Sequence, residues 1–241
     1  DKKLIFSPHH LSHALSTLPF IPNDLDNEAT LHFVFDGVGD GNTTSVFLAE
    51  GTKFTKIYQQ NYPHSLGLFY SAVTDYCGFL VNEGEYKLMA LSAFGTPTYY
   101  EFFKEKIFKF NQPEFSLDMS WFDFDSSPER SYSELWVQKF GEPIDSKNLT
   151  DEGFTRAANL AKYSQLVVED IIKSTIEWAV NESGISNVTI SGGVAQNSLA
   201  MGAVAEMSIL NSITIPPSPG DSGAAIGAAN FAKMMDNSDS I

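Results

Sequence analysis

Three of the chain's five histidines stand together in His9-His10-Leu11-Ser12-His13. On a helix, His9 and His13 lie one turn apart on one face, so both imidazoles can reach one metal ion. Neutral imidazole favours iron or zinc over magnesium. The alternative is a polar helix face without a ligand. Asp36-Gly37-Val38-Gly39-Asp40-Gly41 follows an apolar run. Its glycines let backbone N–H groups approach an anion, and Asp36 can ligate a metal or orient water. An ordinary Asp/Gly hairpin explains the same residues. Ser191-Gly192-Gly193-Val194-Ala195-Gln196-Asn197 places bare backbone beside a helix start, where adenosine or phosphate can sit, or makes a tight turn only. Asp221 opens the last helical stretch, as a helix cap or as a carboxylate for the metal. Lys87 is a candidate phosphate or carboxylate partner, and His10 and His64 are candidate bases.

These residues need elements to hold them. Residues 8–18 read as a short helix, 31–36 as a buried strand, and 45–49 and 53–60 as the next strands of a meander. Helical spacing returns over 65–79 and 85–93. A long helical pattern runs from Thr150 to Ser183, followed by a strand at 187–191. A helix over 195–208, a strand at 212–215 and a last helix over 222–235 complete the order. Residues 97–150 are aromatic-rich with little periodicity and read as an insertion or lid, or as packing against the main domain. The order predicts an α/β fold with a mixed sheet and flanking helices.

Composition narrows the partners. The net charge of −15 excludes sequence-independent binding to nucleic acid and binding to anionic membrane surfaces, since both require basic patches. An anionic substrate needs a local cation to approach such a chain. With 43% hydrophobic residues the chain can bury a sizeable core. Cys77 is the one cysteine, which suits a reducing cytoplasm. No apolar run has the length of a membrane span.

In combination, HHLSHA (His9–Ala14), DGVGDG (Asp36–Gly41), PHSLGLFYSAVTDYCGF (Pro63–Phe79), EGEYKLMALSAFG (Glu83–Gly95), SGGVAQN (Ser191–Asn197) and PGDSGAAIGAA (Pro219–Ala229) resemble the carbamoyltransferase family of nodulation and antibiotic-tailoring proteins. The resemblance implies an actin-like ATPase (ribonuclease H-like) domain, two lobes around a cleft, related to tRNA threonylcarbamoyl-transfer proteins. It implies ATP and a divalent metal as cofactors. Carbamoyl phosphate is the implied donor, and a hydroxyl of a small molecule the implied acceptor. It maps metal ligands onto His9, His13 and Asp221, with Asp36 in addition, nucleotide contacts onto Gly192, Gly193 and Asn197, and a phosphate hairpin onto Gly39 and Gly41. It also implies an N-terminal hairpin and a C-terminal YrdC-like domain outside residues 1–241, making the chain a partial carbamoyltransferase. A homodimer is a further expectation. The competing expectations are an actin-like metabolite kinase or phosphatase, and a non-catalytic nucleotide-binding partner.

Overall fold

The computed structural model describes residues 4–25, 28–127 and 130–238. They fall into two compact units, one of residues 1–65 and 176–241 and one of residues 66–175.

The first unit is built on a five-stranded mixed sheet. Strands β1 (Thr30–Gly39), β2 (Asn42–Glu50) and β3 (Lys53–Asn61) form an antiparallel meander. Later in the chain, β6 (Asn187–Ser191) adds to β1 in parallel and β7 (Ser212–Thr214) adds to β6, giving the order β3-β2-β1-β6-β7. Every residue of β1 from Thr30 to Asp36 is buried, so both of its faces are covered. Side chains alternate along a strand, which puts His32, Val34 and Asp36 on one face and Leu31, Phe33 and Phe35 on the other.

Helix α1 (His9–Ser16) lies on the first of these faces, where Ala14 meets Val34 and Phe47 in a buried apolar cluster. Its Thr17 cap and Thr189 of β6 both hydrogen-bond Nδ1 of the fully buried His32, at 3.1 and 2.8 Å. Burial pushes the His32 pKa from 6.5 down to about 3, so the ring is neutral. Helix α8 (Asp221–Ser238) packs against α1. Gly227 makes this approach feasible, because a Cβ there would stand 1.7 Å from the Ser12 carbonyl oxygen. Asn230 Nδ2 donates to the Leu15 carbonyl at 3.1 Å and fixes the register of the two helices.

The second unit holds α2 (Leu66–Tyr76), α3 (Glu85–Leu91), a helical turn α4 (Tyr100–Phe102), the hairpin β4 (Phe108–Asn111) and β5 (Glu114–Leu117), and α5 (Glu134–Phe140). It also contains most of α6 (Asp151–Ser183), whose last residues belong to the first unit. Residues 97–150 supply much of this unit's core. Phe103 packs on Phe69, Trp136, Phe140 and Tyr163 with ring centroids 5.7–5.9 Å apart. Trp136 is fully buried, and its indole N–H donates to the Trp121 carbonyl at 2.8 Å. The aromatic residues of this stretch are thus packing residues. Their spacing looked irregular because one core is shared among a hairpin, short turns and α5. Cys77 is buried here with its thiol pushed up to about 12, which makes it a poor nucleophile.

One element starts later than its sequence suggests. The helix expected from Ala195 begins at Ser198, as α7 (Ser198–Ala205), after a 3-10 turn over Gly193–Gln196. Asn197 sets that start: its Oδ1 accepts the Ala200 N–H at 3.0 Å as an N-cap.

Candidate metal centre

The one-turn spacing of His9 and His13 on α1 puts their Nε2 atoms 3.1 Å apart. Two carboxylates meet them from distant parts of the chain. Asp36, at the exit of β1, brings Oδ2 to 3.1 Å from His9 Nε2 and 3.7 Å from His13 Nε2. Asp221, the first residue of α8, brings Oδ1 to 3.4 and 3.2 Å from the same atoms. All four donor atoms lie within 4.8 Å of one another.

Each carboxylate is aimed by its element. Asp36 is 8% exposed, and its other oxygen, Oδ1, accepts the Gly193 N–H at 3.0 Å. Parallel pairing of β1 and β6 places this loop beside the strand exit, the usual place for a ligand in such sheets. Burial would raise the Asp36 pKa, but the Gly193 N–H, nearby His13 and the Gly37 N–H outweigh it and hold the carboxyl ionised. Ser65 Oγ donates to the Asp36 and Gly37 carbonyls at 3.2 and 2.7 Å and secures the last part of β1. Asp221 is positioned by the packing of α8 on α1, with its side chain 77% exposed.

The histidines are held as firmly. His13 is fully buried, and burial lowers its pKa. Its Nδ1 is buried and meets no partner among the described residues. The His9 ring lies against Gly39, where a Cβ would stand 2.0 Å from its Cδ2. Gly39 is therefore a contact surface for a ligand side chain. Gly41, at φ 79°, completes the turn that follows Asp40, at φ 52°.

Five short contacts converge among the two rings and the two carboxylates. Donors about 2.1 Å from one ion stand roughly 3.0–3.4 Å apart in tetrahedral or octahedral geometry, the range most of these pairs occupy. Two nitrogens with two carboxylate oxygens suit a borderline divalent ion such as iron or zinc. The donor set therefore fits a resident cation.

The other sequence candidates fall in different places. His10 neighbours the cluster but is 2% exposed, with Nδ1 on Ser45 Oγ at 2.8 Å. Burial lowers its pKa to about 4, which makes it a weak base, and the ring is enclosed rather than open to an external hydroxyl. His64 is half-buried in the same unit, and its carbonyl accepts the Thr43 hydroxyl at 2.6 Å. Burial lowers its pKa too. Lys87 is exposed on α3 in the second unit, its ammonium 5.7 and 6.0 Å from the ring centroids of Tyr86 and Phe79. Gly192 donates its N–H to the Pro219 carbonyl at 2.8 Å. With Gly193 on Asp36 and Asn197 capping α7, the Gly-Gly turn is tied internally at three points. Ser45, Ser65 and Asp40 support the cluster and were not singled out in the sequence. Their only signal was position, in the strand and turns next to the ligands.

The family model described as carbamoyltransferase N-terminus matches residues 1–230. The Synechocystis protein sll1178 is 36% identical over 229 residues, covering 94% of this chain and 36% of that protein. The nodulation protein NolNO of Sinorhizobium fredii is 26% identical and covers 98% of this chain and 32% of its own length. The chain spans about a third of the length of these relatives. Among solved structures, full-length HypF in its phosphate- and nucleotide-bound form gives a TM-score of 0.59 at 17% identity, over 95% of this chain and 42% of HypF. That likeness concerns the fold. The ligand donors at His9, His13, Asp36 and Asp221 all lie inside the stretch that the family model matches, and over that stretch the chain belongs to the carbamoyltransferase family.

Proposed function

We propose that the chain forms the cation-bearing part of an ATP-dependent carbamoyltransferase. In this reading a carbamoyl group passes from carbamoyl phosphate, through a carbamoyl-adenylate, to a hydroxyl of a small-molecule acceptor. The observation that carries it is the convergence of His9, His13, Asp36 and Asp221 within a carbamoyltransferase-family chain. The relative solved with phosphate and nucleotide bound supports placing ATP on this fold.

His9, His13, Asp36 and Asp221 would hold the divalent cation, iron first and zinc or magnesium as alternatives. When bound, the cation supplies a Lewis acid and a positive charge for an anionic donor. The protein's own groups do the rest. Asp36 stays ionised through its Gly193 bond and presents Oδ2 to the cluster. Loops after β1 and β6 border the centre, and Gly39, Gly41, Gly192, Gly193 and Asn197 shape them. We assign nucleotide and phosphate contact to these loops. With a pKa near 4, His10 leaves the base role to His64. Lys87, exposed on α3, keeps the role of a candidate anion partner within the second unit.

The test is mass spectrometry of the protein incubated with carbamoyl phosphate, ATP and a panel of hydroxylated acceptors. A carbamoylated acceptor, absent with His13→Ala, is the expected result. Phosphorylated acceptor, or undiminished carbamoylation by the variant, would contradict the reading.

A further inference from the structure

The hairpin between β1 and β2 has a contact that its turn does not require. Asp40 sits at the tip in the left-handed region, where Asp is tolerated and Asp-Gly is a favoured turn pair. Its side chain does not cap its own turn. Oδ2 instead accepts the backbone N–H of His9, 31 residues earlier in sequence, at 2.7 Å. His9 is the first residue of α1, and the residue before it, Pro8, offers no side-chain cap. Asp40 is thus the cap of α1, supplied from another element.

This contact acts on the residue whose ring faces Asp36, Asp221 and His13. The His9 ring also rests on Gly39, next to Asp40 in the same hairpin. Asn42 Nδ2 donates to the carbonyls of Gly39 and Asp40 at 3.4 and 3.3 Å, which stiffens the tip. Backbone and ring of one ligand residue are therefore both located by the hairpin tip. His9 is 28% exposed and sits at a helix end, where helices fray. His13 is buried within the helix and needs no such help.

The geometry points to Asp40 as a positioning residue that sets His9 for cation binding. The inference rests on the proposal that the four-residue cluster binds a divalent cation. A group that orients a ligand typically changes metal affinity about 10–100-fold when lost.

Cobalt(II) is a suitable probe, since its visible spectrum reports ligand geometry and its affinity can be measured by chelator competition. Asp40→Ala is expected to weaken cobalt binding about ten-fold or more and to alter the ligand-field bands, with an unchanged circular dichroism spectrum. Asp40→Asn retains an oxygen that can accept the His9 N–H, and it should keep affinity within about three-fold of the parent. An Asp40→Ala protein that binds cobalt with the parent's affinity and spectrum would overturn the positioning role while leaving the cation centre intact. Equal weakening in both variants would overturn it as well, because it would point to the charge rather than the bond. A parent protein that binds no cobalt, zinc or iron would instead remove the reading beneath it.

Discussion

At the residue scale, histidines in two kinds of surroundings share one helix–sheet interface. His9 and His13 face carboxylates, whereas His32 hydrogen-bonds the hydroxyls of Thr17 and Thr189 and is wholly buried. The His32 pKa falls from 6.5 to about 3 in the folded protein. A depressed histidine pKa means the unfolded chain binds more protons below about 6.5. The stability this neutral ring contributes is present above pH 6.5 and is lost as pH falls toward 3. Thermal melting should therefore show the midpoint dropping between pH 7 and pH 5. A His32→Asn variant removes the titrating group and should flatten that slope. An identical slope would show that other groups set it. Spacing alone revealed His9 and His13 as a pair, because i, i+4 is local geometry. It could not separate ligand from base at His10, since that distinction depends on burial beneath α1.

At the element scale, the site is an assembly of starts and ends. The start of α1, the end of β1 and the start of α8 each supply residues of the four-residue cluster, and the start of the turn after β6 orients one of them. The packing of α8 on α1 is what joins Asp221 to His13. Gly227 has no room for a larger side chain, with the Ser12 carbonyl 1.7 Å from its ideal Cβ. Gly227→Val should destabilise the fold by roughly 1–3 kcal/mol, as overpacking does. It should also weaken cation binding by separating α8 from α1. Denaturant unfolding and cobalt titration would check the two effects. Strand and helix positions over residues 30–61 and 187–191 were legible because alternation and turn residues are strong local signals. Asp221 was legible only as a cap or a ligand. The tertiary contact to His13, across 208 residues, brings it to the histidine pair. The late start of α7 followed from a cap at Asn197 that competes with the preceding glycine turn.

At the scale of the whole molecule, the acidic balance and the site work against each other. A net charge of −15 opposes the approach of any anionic ligand, and a divalent cation held by the four-residue cluster would offer local relief. Among the described residues no helix is long and apolar enough to cross a membrane. The aromatic stretch over 97–150 was the least legible part, because its rings form a core whose partners are far apart in sequence. Trp136 is central to that core and fully buried. Trp136→Ala should destabilise the protein by about 3–5 kcal/mol, measured by denaturant unfolding, if this stretch is core. A stable variant would return the stretch to a peripheral role. The family match extends over both units, and the chain spans about a third of the length of the relatives it matches. The central claim is that His9, His13, Asp36 and Asp221 together bind one divalent cation. Its most direct test is elemental analysis with cobalt titration of the parent and of His13→Ala. One cation per chain, abolished in the variant, is the predicted result. A parent that binds none, or a variant that binds as well as the parent, would contradict it.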